Sequence, residues 1–149
     1  MAAQAFKIYN LAKKKLGMAT LDLRTGNFRV QLHTSASNAA TLTLGTIASV
    51  DNQVTEANGY SSSGKALASR EWTVGASAKS YKFDGADIVW TATGGTIPNI
   101  KFAVVWASGA SAGARHLVAV ASLTSTQFTL SQNNTLTLAF NSLGLFTMQ

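Results

Sequence analysis

The chain has 149 residues, which is long enough for one domain with a substantial hydrophobic core. Only 12% of the residues are charged, about half the usual fraction, while 46% are hydrophobic and the formal net charge is +6. The lack of cysteine excludes disulfides and thiol chemistry, and no apolar run approaches the roughly 20 residues that span a bilayer. A surface with so few charges gives a free monomer little protection against association. This composition is typical of extracellular and viral assembly proteins.

The first predicted element is a helix over residues 1–17. Small and apolar residues recur at spacings of three and four, which places them on one helix face: Ala2, Ala5, Tyr9, Ala12 and Leu16. Gly17 suits the position just after a helix end. Lysines in the last turn favour the negative end of the helix dipole.

The same segment supplies the predicted partner-binding residues. Phe6 and Leu11 point away from the main apolar face, so their burial needs a second surface, which a neighbouring subunit would provide. The lysines either form a solvated helix face or attract an acidic protein or nucleic acid. Because aromatic residues for stacking on bases are scarce there, we expect a protein partner. The predicted partner-binding residues are Phe6, Tyr9, Leu11, Lys13, Lys14 and Lys15.

After the helix the chain is predicted to form strands. Phe28, Val30 and Leu32 alternate with polar residues, which indicates a half-buried strand over 28–34. Residues 35–40 are predicted to be a loop, while 41–54 fit either a strand running into a short helix or an irregular connection. Asn58-Gly59 is a turn signal. Further strands are predicted at 65–74 (a strand pair), 81–83, 87–92, 100–107, 116–123, 127–130, 135–141 and 144–148.

Residues 100–107 are predicted to be the central strand. Phe102, Val104 and Trp106 lie on one of its faces and smaller apolar residues on the other, so the strand is expected to be buried on both faces. Short strands about ten residues apart indicate a sandwich or barrel. We therefore predict one mainly β domain over 1–149, an antiparallel β-sandwich, jelly-roll-like, with one N-terminal helix. The predicted core residues are Phe28, Val30, Leu32, Phe83, Ile88, Trp90, Phe102, Val104, Leu117, Leu136, Leu138 and Phe140.

Two motifs match catalytic signatures but lack the context that these need. Residues 59–65 (GYSSSGK) match the first seven places of a P-loop, but Ala66 stands where a Ser or Thr must hold Mg²⁺, and no helix is predicted to follow. Residues 109–113 (GASAG) match a nucleophile elbow, but no acidic residue follows Asp87. We interpret the first as a serine-rich loop and the second as a hairpin loop.

Metal and acid–base chemistry has few candidate residues. Asp84 and Asp87 could supply oxygens to Ca²⁺, but that ion needs about six, so an Asp-Gly hairpin turn is the preferred interpretation. His33 and His116 are isolated from each other, and the chain has six acidic residues in all. We predict no catalytic residues, no metal site and no cofactor.

Eight short stretches stand in order along nearly the whole chain: FKIYN (6–10), LHTSASN (32–38), NGY (58–60), GKAL (64–67), YKFD (81–84), ATGG (92–95), NIKFA (99–103) and GLFT (144–147). This arrangement resembles a group of small virion proteins of tailed bacteriophages. The resemblance implies a structural part of the particle and supplies no catalytic residues. It indicates that the protein is part of the particle, but it does not indicate which part.

We expect a non-enzymatic virion protein, namely a capsid decoration or cement protein that binds and stabilises the assembled head. The expected partners are the major capsid protein or other virion proteins and further copies of the chain, as a trimer, with no membrane or nucleic acid. The first alternative is a collar, tail or fibre component. The second is a virion carbohydrate-binding module with Trp72, Trp90 and Trp106 as a sugar platform, although tryptophans in strands are more often core.

Overall fold

The computed structural model describes residues 5–109, 115–140 and 143–148. Within them the protein is mainly antiparallel β-structure with one α-helix near the N-terminus, as predicted. The helix α1 spans Asn10–Gly17, and Ile47–Ser49 form a 3-10 turn. The strands are β1 (Lys7–Ile8), β2 (Phe28–His33), β3 (Lys65–Ala66), β4 (Glu71–Val74), β5 (Tyr81–Asp84), β6 (Ile88–Thr91), β7 (Ile97–Ile100), β8 (Phe102–Ala107), β9 (Leu117–Ser122), β10 (Phe128–Leu130), β11 (Thr135–Leu138) and β12 (Phe146–Met148).

Strand β8 lies in the middle of a five-stranded antiparallel sheet with the order β1-β9-β8-β2-β3. It pairs with β2 along its whole length, from Phe102 to Ala107, and with β9 on its other edge. Every residue from Ala103 to Ala107 is buried, which confirms the prediction of a central strand covered on both faces. The strand begins at Phe102 instead of residue 100, because Ile100 belongs to β7 in another sheet.

Three smaller antiparallel sheets pack into the same core, with the orders β10-β7, β11-β6 and β12-β5-β4. An aromatic contact connects the last of these to the large sheet, since the ring centre of Phe83 lies 5.2 Å from that of Phe28 on β2. Within the small sheet, the same ring lies 5.5 Å from that of Phe146. Of the predicted core residues, all are buried except Phe102 and Phe140, which are half-buried.

The N-terminal segment differs from the predicted helix over 1–17. Residues 1–4 lie outside the described part of the chain, and the helix begins only at Asn10. Before it, β1 pairs with β9, and the amide of Tyr9 donates to the carbonyl of Val118 at 3.0 Å. The edge of β9 offers backbone hydrogen bonds here, and these outweigh the weak local preference for helix.

The end of the helix also differs in detail from the prediction. Gly17 is the last helical residue, and the left-handed backbone conformation falls on Ala19, whose φ is 55°. The amide of Met18 donates to Lys14 and that of Ala19 to Leu16, so the last helical carbonyls are satisfied within the turn.

Two predicted strand pairings are wrong. β5 and β6 flank Gly85 but pair with different partners, β5 with β4 and β12, and β6 with β11. The chain crosses between sheets here, so the Asp-Gly turn is not a hairpin. A Cβ on Gly85 would lie 2.6 Å from Cδ1 of Leu67, which shows how closely the crossing packs. β3 and β4, predicted as a pair within 65–74, also lie in different sheets.

Strand β7 is absent from the sequence-based prediction because it contains Pro98, which cannot donate a backbone hydrogen bond. In the described residues β7 pairs only with β10, so it is an edge strand, where a missing donor is tolerated. The ambiguous segment 41–54 is an irregular connection apart from the 3-10 turn, and it bonds back to the large sheet through the amide of Val54 and the carbonyl of Leu32.

Candidate functional site

Two of the predicted partner-binding residues, Tyr9 and Phe6, attach the N-terminal segment to its own domain. Tyr9 is fully buried, and its hydroxyl donates to the carbonyl of Ala39 at 2.5 Å. Burial raises the pKa of the Tyr9 phenol. Phe6 packs against Phe140 with 6.1 Å between ring centres. Tyr9 is therefore covered by its own domain, while Phe6 stays half-buried and already contacts an apolar surface of the same chain.

The other predicted residues remain at least partly accessible. Lys13 and Lys14 are exposed, whereas Leu11 and Lys15 are half-buried. Partial burial lowers the pKa of His116, and the charge of Lys15 lowers it further. The helix thus exposes its lysines, whereas its leucines are partly covered by its own domain.

We expect Tyr9→Phe to lower the free energy of unfolding by about 1–3 kcal/mol, because the buried carbonyl of Ala39 loses its hydrogen-bond donor. Urea denaturation measures the change. Tyr81→Phe is the matched control, since the Tyr81 side chain is exposed, and its effect should stay within about 0.5 kcal/mol. Equal effects of the two substitutions would contradict an anchoring role for the Tyr9 hydroxyl.

The two enzyme-like motifs have different outcomes. Residues 61–64 form a turn and β3 follows them, so no helix N-terminus stands after GYSSSGK, in agreement with the loop interpretation. The ammonium group of Lys65 donates to the carbonyl of Val89 at 2.6 Å. Residues 110–114, which contain most of the GASAG motif, lie outside the described part of the chain.

Asp84 and Asp87 stabilise the crossing between sheets. The carboxylate of Asp84 accepts hydrogen bonds from Lys82 at 3.0 Å and from the amide of Gly85 at 2.8 Å. The carboxylate of Asp87 accepts from the amide of Phe140 at 2.9 Å. The two carboxylates therefore hold separate segments of the chain in place.

Exposed and half-buried apolar side chains cluster on the hairpin face, which consists of Trp72, Val74, Tyr81 and Met148. Val74 and Met148 are the two cross-strand partners of Tyr81, and Trp72 lies two residues before Val74, so all four project from one side of the β12-β5-β4 sheet. Val74 is 55% exposed and Tyr81 is 47% exposed. The rings of Trp72 and Tyr81 stack with 5.9 Å between their centres.

The hairpin face is continuous with the core at one end and with the helix at the other. The same side of the sheet carries the buried residues Phe83 and Phe146, so one apolar stripe runs from the interior out into solvent. Beside it, a groove of about 500 Å³ contains Leu16 of α1, together with Trp72 and Met148. The helix α1 therefore lies next to the hairpin face.

Sequence reasoning missed the hairpin face, although a signal for it exists. Apolar residues alternate along β4 (Trp72, Val74) and along β5 (Tyr81, Phe83). This alternation predicts a buried strand face, but only the packing of the domain shows that Val74 and Tyr81 extend beyond the atoms that cover Phe83.

A second concave surface, the arginine groove, lies against β2 and the end of β8. Its volume is about 610 Å³, and its lining includes Arg29, Gln31, His33, Trp106 and Arg115. His33 is almost completely buried, and burial lowers the pKa of its imidazole, opposed by the hydrogen bond to the Asp51 carbonyl. The groove therefore combines two guanidinium groups with an imidazole that burial keeps neutral near pH 7.

Comparison with known proteins adds no assignment. No family model, curated protein or solved structure matches the chain. Among residues 5–109, 115–140 and 143–148, no group of three or more His, Asp or Glu is placed to hold a metal ion. In the same residues no helix has the length and apolar character to cross a bilayer.

The lowered pKa of His33 predicts a loss of stability in mild acid. The unfolded chain takes up the proton near the ordinary pKa of 6.5, while the folded chain resists it, so stability is complete above that pH and falls as the pH drops towards the folded pKa. Each such histidine contributes a slope of at most about 1.4 kcal/mol per pH unit. Denaturation of wild type, His33→Gln and His116→Gln between pH 7.5 and about 5, above the usual carboxylate range, measures the two contributions. An unchanged slope in His33→Gln would contradict this assignment.

Proposed function

We propose that the protein is a non-enzymatic structural component of a bacteriophage particle, a decoration or cement protein that binds the assembled head. The observation that supports this proposal is the hairpin face, an apolar stripe that leaves the core and ends in solvent. Exposed apolar patches rimmed by polar residues are typical of protein–protein contact sites. The proposed occupant is a neighbouring subunit of the particle, the major capsid protein, and the resemblance to small virion proteins supports the same context.

The charge of the protein suits an acidic neighbour. The formal net charge is +6, and Lys13 and Lys14 are exposed on the helix whose Leu16 lines the same groove as Trp72. Exposed charges attract over a screening length of about 8 Å at physiological salt, so they favour the encounter more than the final affinity. The apolar contact then supplies most of the affinity, and a homotrimer would present three hairpin faces to the lattice at once.

Strand β4 offers a further means of attachment. In the described part of the chain it pairs only with β5, so its other edge presents free backbone donors and acceptors next to Trp72 and Val74. An open edge is a template for pairing with a strand of another chain. Backbone pairing and side-chain contact at this place would reinforce each other.

The first alternative is a collar, tail or fibre component that uses the same face. It differs from a head decoration in copy number, which is on the order of hundreds for a protein that follows the head lattice and about a dozen for a ring. Quantitative gel densitometry or mass spectrometry of purified particles separates the two positions.

The second alternative is a carbohydrate-binding module on the virion. Trp90 and Trp106 are buried, as expected for tryptophans in strands, so the three tryptophans do not form a surface platform. The stacked pair Trp72 and Tyr81 is the observation that still favours this alternative, since aromatic rings at a surface suit sugar faces. Binding on a glycan array that is lost in Trp72→Ala would favour the module over the decoration protein.

The decisive experiment is co-sedimentation of the purified protein with particles that lack it. We expect saturable binding to assembled heads, no binding to free capsid subunits, and weaker binding at high salt than at low salt because the lysine attraction is screened. Capsids saturated with the protein should also resist heating better, since a ligand that binds only the assembled state stabilises it. Absence of saturable binding to heads, tails and fibres alike would contradict the proposal.

A further inference from the structure

The lining of the arginine groove includes two arginines that both neighbour Trp106. Arg29 of β2 is the cross-strand partner of Trp106 of β8. The guanidinium carbon of Arg115 lies 5.7 Å from the centre of the Trp106 ring, a cation–π contact. The residues that line the groove include no Asp or Glu. This end of the groove therefore carries an excess of positive charge.

The Arg29 side chain is fixed in advance of any binding. Its Nε donates to the carbonyl of Ser63 at 2.7 Å, and its Nη2 donates to the hydroxyl of Ser63 at 3.1 Å and to the carbonyl of Gly64 at 2.8 Å. Its Nη1 donates to no atom of the described residues. A guanidinium held in this way presents its remaining N–H groups without losing further side-chain entropy.

The acidic residues near the groove wall are hydrogen-bonded to neighbouring amide and hydroxyl groups. The carboxylate of Glu56 accepts hydrogen bonds from the amide and the hydroxyl of Ser62, and the carboxylate of Asp51 accepts from the amide of Asn38 at 2.7 Å. Neither carboxylate forms a salt bridge to Arg29 or Arg115. The two guanidinium groups thus remain available to an anion from outside the chain.

The other end of the groove offers neutral hydrogen-bonding groups. His33 lies four residues from Arg29 along β2, about 13 Å away. Its Nδ1 lies 3.0 Å from the carbonyl of Asp51, so Nδ1 carries the proton and Nε2 is an acceptor. The Nε2 of His33 and the Nε1 of Trp106 are buried without a partner in the described residues. Unpaired buried polar atoms are uncommon in folded proteins, and two of the five found in the described residues belong to side chains that line this groove.

We propose that the arginine groove binds a small hydroxylated molecule that carries one oxyanion, a phosphate or a carboxylate. Arg29 and Arg115 bind the oxyanion beside Trp106. Towards His33, its imidazole and the side-chain amide oxygens of Gln31 and Gln53 bind hydroxyl groups. A volume of about 610 Å³ falls in the range of small-molecule sites and exceeds what a bare phosphate fills. This binding goes beyond attachment to a particle, because the groove and the hairpin face consist of different residues.

Isothermal titration calorimetry with defined probes tests the proposal. The charged probes are ribose 5-phosphate and glucuronate, and ribose and glucose are their neutral counterparts. We expect at least one charged probe to bind at least about tenfold more tightly than its neutral counterpart, since charge-assisted contacts to two arginines are strong. The tighter of the two charged probes identifies phosphate or carboxylate as the preferred group.

Three substitutions with the same charge change give the structural test. Arg29→Gln and Arg115→Gln should each weaken binding of the charged probe at least about tenfold, whereas Arg24→Gln, an exposed arginine outside the groove, should not change it. Arg115→Gln is the decisive variant, because Arg29 also holds the turn at Ser63. Thermal unfolding checks that each variant is folded. Equal binding of charged and neutral probes, or equal effects of the three substitutions, would overturn the proposal.

Discussion

Phe83→Ala is expected to lower the free energy of unfolding by about 3–5 kcal/mol, the usual cost of removing a large buried aromatic side chain. Phe83 is fully buried on β5, and its ring contacts Phe28 of the large sheet and Phe146 of β12. The substitution removes both aromatic contacts and leaves a cavity between two sheets. Because neither partner lies on the same strand as Phe83, local adjustment of β5 cannot refill the space.

Urea denaturation followed by tryptophan fluorescence measures this effect. Val89→Ala is the matched control, because Val89 is 41% exposed on the neighbouring strand in sequence and should cost less than about 1 kcal/mol. Phe83→Leu, which keeps most of the apolar volume, should fall between the two. A loss below about 1.5 kcal/mol for Phe83→Ala, with an unchanged denaturant slope, would show that Phe83 does not connect the two sheets.

Val74→Asp/Tyr81→Asp is expected to weaken binding to particles at least about 100-fold while the domain remains folded. Both side chains are exposed in the isolated protein, so new carboxylates there remain hydrated until a partner covers them. In the complex each would be an unpaired charge in apolar contact, which costs several kcal/mol, and about 1.4 kcal/mol corresponds to a factor of ten.

The control for this variant must carry the same change in charge. Val89→Asp/Thr91→Asp meets that need, since both residues are exposed on β6, away from the hairpin face. Co-sedimentation with particles that lack the protein, at low and high salt, separates the two effects. At low salt both double variants should lose the same long-range attraction. At high salt, where that attraction is screened, only Val74→Asp/Tyr81→Asp should bind particles more weakly than wild type. Equal binding by the two variants would remove the hairpin face from the attachment site.

The strands and most of the core could be predicted from the sequence because they depend on local patterns. Alternation with a period of two places Phe28, Val30 and Leu32 on one side of β2 wherever that strand pairs. A strand that is apolar on both sides, such as β8, has to be covered on both sides, whichever segments cover it.

Which strands pair depended on the tertiary structure. Asp84 and Gly85 have the composition of a hairpin turn, yet β5 and β6 join different sheets, where β5 pairs with β4 and β12 and β6 pairs with β11. Pro98 argues against a strand, yet β7 exists because it occupies an edge. The helix begins at Asn10 because β9, more than 100 residues later, leaves an edge that residues 7 and 8 complete.

The candidate sites also depend partly on local sequence and partly on tertiary structure. The lysines of the helix and the isolated histidines can be found in the sequence, but the hairpin face needs residues of β4, β5 and β12, and the arginine groove joins Arg29 to Arg115. Whether an apolar side chain is covered depends on where the opposing sheet ends. Whether two arginines line the same groove depends on strand register. Both depend on pairing between segments that are far apart in the chain, and local residue patterns do not predict that pairing.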